Sequence, residues 1–292
     1  MINLDKILVA DGAWGTELFK LGLTEGACPE EWNLSHHNEV RQIAENYFKA
    51  GSNIVLTNTF GANRFQLERF GLSEKVREIN KTGASLTKEA CKGKAITAGD
   101  IGPSGKLFIM NEVSQDELFE AFCEQVQGLK EGGAEWIVVG TMTDIGEMEI
   151  AVRAAAASDL PVVACMTYEK SPSGYHTVMG HTPQDAVLAA VKAGAGIIGA
   201  NCGSGIEMYV ELSKVLKKCT ELPVWIKANA GLPQLVKGKV EYSMTPDIYA
   251  AHVTSLLEAG VSIIGGCCGT NPEYIKKIRA VVDEWDTGSK KS

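Results

Sequence analysis

Three cysteines in two glycine-rich segments are the residues of this 292-residue chain whose types and spacing favour chemistry. Cys267 and Cys268 lie in Gly-Gly-Cys-Cys-Gly, and Cys202 lies in Gly-Ala-Asn-Cys-Gly. Each segment ends a short apolar run that is typical of a buried strand. Three protein ligands with one open position are the arrangement of a catalytic zinc, and thiolates favour zinc among the available divalent ions. We therefore predict that Cys202, Cys267 and Cys268 hold Zn²⁺ and form the catalytic centre.

The backbone around the cysteine pair must turn if both sulfurs are to reach one metal ion. Neighbouring residues of a regular strand point to opposite faces, so Cys267 and Cys268 converge only where the strand stops. The surrounding glycines supply that conformational freedom. Taken alone, the pair could instead be two buried core residues or a disulfide between neighbours. Cys202 at the end of a nearby strand favours the metal site.

The chemistry of a three-thiolate zinc site differs from that of a hydrolytic zinc site. Three negative sulfurs already neutralise much of the ion's charge, so the ion is a weak Lewis acid that suits a soft ligand such as a thiol. Binding of a thiol to the ion lowers the pKa of that thiol and leaves a nucleophilic thiolate. The natural reaction is alkyl transfer to or from sulfur.

Eight apolar runs, each followed by a helix-like stretch, must position these cysteines. The runs are continuous rather than alternating, as expected for a parallel sheet covered on both faces. The predicted strands are Ile7–Ala13, Asn53–Asn58, Ala95–Ile101, Trp136–Thr141, Val162–Tyr168, Ile197–Cys202, Val224–Ala230 and Ile263–Cys267. This pattern predicts an α/β fold, a single (β/α)8 barrel over residues 1–285 with a disordered tail over 286–292. A doubly wound sheet is the alternative.

Composition and charge exclude several classes of partner. The formal net charge is −8 without a basic stripe, which argues against binding to nucleic acid. No apolar run reaches the length of a membrane span, and the first residues lack the pattern of a signal peptide. The eight cysteines follow no disulfide framework, which favours a reducing compartment. We expect a cytoplasmic protein that binds a small molecule and neither nucleic acid nor membrane.

Six motifs together resemble the homocysteine S-methyltransferases, a family that includes the N-terminal domain of cobalamin-dependent methionine synthase. The resemblance covers nearly the whole chain and implies a zinc-dependent barrel whose three cysteine ligands match Cys202, Cys267 and Cys268. The motifs are Asp11-Gly12-Ala13-Trp14-Gly15-Thr16, Thr57-Asn58-Thr59-Phe60-Gly61-Ala62-Asn63, Ile101-Gly102-Pro103, Asn201-Cys202-Gly203, Lys227-Ala228-Asn229-Ala230-Gly231 and Gly265-Gly266-Cys267-Cys268-Gly269-Thr270.

The resemblance also implies a substrate pocket at the carboxyl ends of the strands. Asp11, Ala13 and Trp14 match the first-strand loop of the family's amino-acid pocket, and Asn58 and Asn201 match polar residues at its mouth. Without the resemblance, Asp11 is equally well a helix cap, and the asparagines are ordinary turn residues. The predicted substrate-binding residues are Asp11, Ala13, Trp14, Asn58, Gly140, Thr141, Asn201 and Asn229.

Gly140 departs from the family pattern at the end of the fourth predicted strand. Relatives usually carry Glu-Thr there, and that glutamate is expected to hold the amino group of homocysteine. This chain has Gly140-Thr141, and glycine has no side chain to pair with an ammonium group. Loss of a charge-assisted hydrogen bond in a buried pocket costs about 1.5–3 kcal/mol. The chain therefore either binds homocysteine weakly, or acts on a substrate that has no amino group and is bulkier or flatter, for which glycine makes room.

Three functions remain open from the sequence. The segment from Met166 to Gly180 is more similar to relatives that demethylate small compounds beside a separate corrinoid protein. We therefore predict methyl transfer between a methyl ether or methyl-sulfur compound and a corrinoid (cobalamin). We expect a partner protein to carry the corrinoid, because this chain has no Asp-x-His-x-x-Gly signature of cobalamin binding. One alternative is a homocysteine S-methyltransferase that uses methylcobalamin or S-methylmethionine. The other is a non-catalytic zinc-binding barrel subunit.

Overall fold

The computed structural model describes Leu4 and residues 6–110, 112–236 and 239–289. Its strands lie close to the predicted apolar runs, and two further pairs of short strands interrupt the loops. The strands are β1 (Leu8–Val9), β2 (Ile54–Leu56), β3 (Ile96–Ile101), β4 (Trp136–Met142), β5 (Val162–Met166), β6 (Glu169–Ser171), β7 (Gly174–His176), β8 (Ile197–Gly205), β9 (Val224–Asn229), β10 (Pro233–Val236), β11 (Lys239–Tyr242) and β12 (Ile263–Gly266).

The helices alternate with the barrel strands. They are α1 (Trp14–Lys20), α2 (Trp32–Ser35), α3 (His37–Lys49), α4 (Arg64–Glu68), α5 (Val76–Ala90), α6 (Gln115–Glu131), α7 (Ile145–Ala156), α8 (Pro183–Ala193), α9 (Ile206–Cys219), α10 (Pro246–Ala251), α11 (Val253–Glu258) and α12 (Pro272–Ser289). Local caps start several of them. A capping box joins Ser114 to Glu117 at α6, and the side chain of Thr182 accepts a hydrogen bond at the start of α8.

Eight parallel strands close into the predicted (β/α)8 barrel. Their order in the sheet is β1, β12, β9, β8, β5, β4, β3, β2. A parallel bridge between Ala10 and Ile54 then joins the two ends of this order. The prediction of a single α/β barrel is confirmed, and the doubly wound alternative is wrong because such a sheet stays open. All eight strand ends therefore meet at one mouth.

Large apolar side chains fill the inside of the barrel below that mouth. Residues two apart on a strand share a face, so Trp136 and Val138 of β4 both point inward. They form one buried cluster with Trp225 of β9 and with inward residues of the other strands. A second cluster packs the outer faces of the strands against the helices. The filled lower barrel leaves the upper ends of the strands to build a site.

Two antiparallel hairpins extend the loops at the mouth. One pairs β6 with β7 after β5, and the other pairs β10 with β11 after β9. Both follow barrel strands, so they lie on the face where (β/α)8 enzymes keep their active sites. Their sequences contain exposed polar residues, which hides the strand pattern from an analysis based on apolar runs.

The last helix extends past the predicted end of the barrel domain. Helix α12 continues to Ser289, so residues 286–289 are helical rather than the start of a tail. Residues 290–292 of the predicted disordered tail lie outside the described residues. None of the helices in the described part of the chain combines the length and the apolar character that a membrane span requires.

Candidate active site

Cys202 lies where β8 departs from regular strand geometry. The pairing of β8 with β9 shifts between Cys202 and Gly205, and Cys202 has a φ of 64°. A non-glycine residue in this left-handed region is uncommon and requires support from its surroundings. The hydroxyl of Tyr209 donates to the Cys202 carbonyl at 2.7 Å, and the Asn229 amide donates to the Gly203 carbonyl at 2.6 Å. These two contacts hold the Cys202 loop.

Cys267 and Cys268 lie in a tight turn directly after β12. The Thr270 amide donates to the Cys267 carbonyl at 3.1 Å, which closes a four-residue turn. Gly269 has a φ of 82°, as the third position of a type II turn requires. The Cys267 amide is bonded to Ala228 of β9 at 2.7 Å, which anchors the turn to the barrel. The strand therefore stops where the sequence predicted, and both side chains turn toward the mouth.

The three sulfurs converge. The Sγ atoms of Cys202, Cys267 and Cys268 all lie within 4.8 Å of one another, and those of Cys202 and Cys268 are 4.0 Å apart. Tetrahedral zinc with Zn–S bonds of about 2.3 Å sets its sulfurs about 3.8 Å apart. The donor set and its spacing therefore fit zinc with small adjustments. Among the described residues no other His, Cys, Asp or Glu joins this group, so a tetrahedral ion held by the three sulfurs would keep a fourth position free of these ligands.

The crowding of the three thiols makes their charged forms unfavourable in the absence of a cation. The hydrogen bond with Cys202, together with burial, raises the pKa of the Cys267 thiol to about 12. A thiolate at this position would face neighbouring sulfur away from bulk water. A divalent cation stabilises all three thiolates and reverses this shift.

The sulfurs open onto a cavity of about 430 Å³ at the barrel mouth. Six of the eight predicted substrate-binding residues line it, namely Ala13, Trp14, Asn58, Gly140, Thr141 and Asn201. Aromatic side chains form much of the remaining wall: Phe19, Phe60, Trp225 and Tyr242. The cavity is large enough for a small organic molecule beside the metal position.

Asp11 and Asn229 do not line this cavity and instead position residues that do. Both Asp11 carboxylate oxygens are used, because the ammonium of Lys227 lies 2.5 Å from Oδ1 and the Trp14 indole donates to Oδ2 at 3.0 Å. Lys227 and Trp14 then face the cavity. Asn229 holds the Cys202 loop, as described above. Direct contact of Asp11 or Asn229 with a substrate stays a prediction.

Asn201 joins the carboxyl ends of β4 and β8. Its side-chain oxygen accepts from the Thr141 amide at 2.7 Å, and its nitrogen donates to the Thr141 hydroxyl at 2.6 Å. Thr141 has a φ of 59°, a strained value for a β-branched residue, and the β4 register shifts at this point. The same Asn201 nitrogen lies 4.0 Å from the Cys267 sulfur. One amide therefore supports both the strained end of β4 and the metal centre.

The structure adds polar residues that the sequence-based prediction missed. Asp100, Lys227 and Glu30 also line the cavity. Period-two alternation along β3 identifies Asp100, because Ile96, Ala98 and Asp100 share the inward face. Glu30 lies in a short 3₁₀ helix far from any predicted strand end, and its sequence surroundings give no comparable signal.

The sequence as a whole matches the homocysteine S-methyltransferase family over residues 8–282. The chain therefore belongs to this family of methyltransferases, as the motifs indicated. It is 31% identical to the methionine synthase of Mycobacterium leprae over 97% of the chain. It is also 31% identical to that of Mycobacterium tuberculosis over 95% of the chain. The chain spans 25% of the length of these relatives.

Solved structures show the same fold. The metallated form of the homocysteine methyltransferase MmuM from Escherichia coli superposes with a TM-score of 0.78 and 21% sequence identity. That superposition covers 94% of this chain and 96% of MmuM. The oxidized form of MmuM superposes with a TM-score of 0.79, also at 21% identity. At this level of identity the likeness establishes the barrel fold.

Proposed function

We propose that this chain is a zinc-dependent methyltransferase that moves a methyl group between a small methylated substrate and a separate corrinoid protein. The substrate would be a methyl-sulfur compound or a methyl ether. The observation that carries the proposal is the convergence of three cysteine sulfurs on the wall of a cavity open to solvent. A structural zinc site would instead close its fourth position with another protein ligand.

Different residues of the chain would bind the metal, exclude water and position the metal ligands. Cys202, Cys267 and Cys268 would hold Zn²⁺, which when bound supplies a Lewis acid that stabilises the substrate's sulfur or oxygen as an anion. Trp14 and Phe60 would exclude water from the reacting methyl group, because both line the cavity with apolar surface. Asn201 would keep the Cys267 sulfur in place through its contact with that atom.

A corrinoid partner is supported by the opening of the cavity to solvent and by the hairpin that follows β5. The segment that resembles corrinoid-linked relatives, residues 166–180, contains the hairpin of β6 and β7, which follows β5 on the face of the barrel that carries the cavity. A methyl carrier that stays on its own protein must approach the sulfurs from this side, because side chains pack the lower barrel.

A second candidate is a homocysteine S-methyltransferase that produces methionine. The 31% identity to two mycobacterial methionine synthases favours it, since it extends over nearly the whole chain. The missing glutamate at position 140 opposes it, because the amino group of homocysteine then lacks its expected partner on β4. The two candidates share the metal centre and differ in the substrate.

Methyl transfer to and from free cobalamin separates the candidates. The zinc-loaded chain is incubated with reduced cob(I)alamin and with a panel of methyl thioethers and methyl aryl ethers, and formation of methylcobalamin is followed by absorbance. In parallel, methylcobalamin and homocysteine are supplied and methionine is measured. We expect methylcobalamin to form from at least one methylated compound.

The remaining outcomes decide against the proposal. Methionine formation without demethylation of any panel member would establish the second candidate. Turnover in neither direction would favour a non-catalytic zinc-binding barrel. A variant with Cys123→Ala is the matched control, because Cys123 is a half-buried thiol on α6 that lies outside the sulfur group.

A further inference from the structure

We infer that Asp100 selects the substrate by binding a protonated amine, and that Gly140 leaves the space which this amine occupies. The inference rests on the proposed function, since it concerns the same cavity and the same metal centre. It narrows the substrate to a short thiol, or its methyl thioether, that carries a cationic nitrogen. The carboxylate that the family places on β4 would then be replaced by one on the neighbouring strand β3.

The space above Gly140 is open and lies beside Asp100. A Cβ atom built on Gly140 would find its nearest neighbours at 3.8 Å, namely the side-chain nitrogen and oxygen of Asn201 and Oδ1 of Asp100. These are ordinary van der Waals distances, so nothing in the described structure closes the gap. Glycine at this position therefore creates room that is bordered by one carboxylate and one amide.

The Asp100 side chain is held in place by its backbone while its carboxylate remains unbonded. The Asp100 amide donates to the Thr57 hydroxyl at 3.1 Å, and the Thr59 hydroxyl donates to the Asp100 carbonyl at 2.8 Å. Within the described ranges, no hydrogen bond or ion pair reaches the carboxylate itself. An oriented, unbonded carboxylate in an active-site cavity is suited to bind a ligand.

The charges around Asp100 favour a cation. Lys227 brings a positive charge that acts on Asp100, but its ammonium is already bonded to Asp11, with 2.5 Å between Nζ and Oδ1. Glu30 adds a second carboxylate to the cavity wall. Three thiolates on a divalent ion leave a further net negative charge. An anionic group would be repelled at this end of the cavity, whereas an ammonium group would be attracted.

The distance from Asp100 to the metal centre limits the length of the substrate. The Asn201 amide borders the space above Gly140 and also lies 4.0 Å from the Cys267 sulfur. One side chain therefore separates the proposed amine position from the sulfurs. A molecule with two to four atoms between nitrogen and sulfur spans this separation, because its ends are roughly 4–6 Å apart when extended.

Three thiols of similar size and different charge test the inference on the zinc-loaded chain. The probes are 2-aminoethanethiol, 2-mercaptoethanol and 3-mercaptopropionate, and their dissociation constants are measured by calorimetry at pH 8. We expect the aminothiol to bind at least about tenfold more tightly than the neutral thiol, which is the usual advantage of a charge-assisted hydrogen bond. We expect the carboxylate to bind least tightly.

Variants assign the preference to a residue. Asp100→Asn keeps the shape and removes the charge, so the aminothiol should lose its advantage while 2-mercaptoethanol binds as before. Glu30→Gln, the matched control, removes the other cavity carboxylate and should reduce the preference much less than Asp100→Asn does. Adding Gly140→Glu to Asp100→Asn returns a carboxylate to the same space from β4, and the preference should return.

The outcomes separate this inference from the proposed function. If thiols bind the zinc-loaded chain without preference for the amine, the metal centre stands and the role of Asp100 is refuted. A preference that survives in Asp100→Asn refutes that role as well. If no thiol binds the wild-type chain, the proposed thiolate centre itself is wrong, and the inference that rests on it falls too.

Discussion

At the scale of single residues, each of the three cysteines would supply one sulfur ligand to the zinc ion, so replacement of any one cysteine leaves two protein ligands. We expect Cys202→Ala, Cys267→Ala and Cys268→Ala each to lower the zinc content of the purified chain to below about half and to abolish methyl transfer. Metal analysis and the cobalamin assay measure both effects. Cys123→Ala should retain full zinc and full activity. A cysteine variant with full zinc and unchanged rate would remove that residue from the centre.

Asp100 should reduce the stability of the folded chain at neutral and alkaline pH. Burial raises the pKa of Asp100 from 3.8 to about 7, the Lys227 ammonium opposes this shift, and Asp11 and Glu30 add to it. The charged form is therefore disfavoured in the folded state, and stability falls as pH rises from about 4 to 7. We expect Asp100→Asn to raise the unfolding free energy by more than about 1 kcal/mol at pH 8.

The comparison across pH provides the control for this prediction. At pH 4 the wild-type carboxyl is protonated in the folded state, so Asp100→Asn should change the unfolding free energy little. Thermal or denaturant unfolding at both pH values measures the difference. If Asp100→Asn changed the unfolding free energy equally at pH 4 and pH 8, the charged carboxylate would not be disfavoured in the folded state, and the prediction would be wrong. A residue that lowers stability in this way is kept for function rather than for folding.

The candidate site was predictable from the sequence only in part. The cysteine ligands could be identified because glycine-rich strand ends and thiol chemistry point to the same residues. Asp100 was missed because the family resemblance directs attention to position 140, although the alternation along β3 places it inward. The burial of Asp11 behind Trp14 and Lys227 depends on contacts between distant segments, which sequence spacing does not reveal.

At the scale of secondary-structure elements, the irregular end of β8 controls the position of Cys202. The buried hydroxyl of Tyr209 on α9 is bonded to the Cys202 carbonyl, so Tyr209→Phe leaves that carbonyl without its partner. We expect a loss of about 1–2 kcal/mol in unfolding free energy and roughly tenfold weaker zinc binding. Zinc competition with a chromophoric chelator measures the affinity.

Tyr274→Phe is the matched control for the β8 prediction. The Tyr274 hydroxyl is also buried and also donates to a backbone carbonyl, that of Met244, which belongs to neither of the two segments that carry the three cysteines. This variant should lose similar stability without a change in zinc affinity. Equal zinc affinities for the two variants would show that Tyr209 stabilises the fold but does not position the ligand.

The barrel strands were predictable because each is a short apolar run buried on both faces. The predicted Ile197–Cys202 begins at the same residue as β8, and Ile263–Cys267 ends one residue beyond β12. The hairpin of β6 and β7 was missed because its residues are polar and partly exposed, so hydrophobicity carries no signal there. Its pairing depends on two segments meeting across a turn.

At the scale of the whole molecule, we expect the fold not to depend on a bound metal. Two buried clusters of apolar side chains fill the barrel interior and the layer between strands and helices. Zinc removal by a chelator should therefore abolish activity and leave the far-UV circular dichroism unchanged, with a decrease of only a few degrees in the melting temperature. Readdition of zinc should restore the rate. Unfolding upon chelation would contradict the metal-independent core.

The packed lower barrel also governs the order of events during turnover. Trp225 and its neighbours fill the space beneath the cavity, so the described residues offer reactants a shared entrance above the sulfurs and no passage through the barrel. The group that gives the methyl and the group that receives it must therefore use this entrance one after the other or side by side. A reactant in large excess obstructs its own reaction partner, and the steady-state rate should pass through a maximum as its concentration rises.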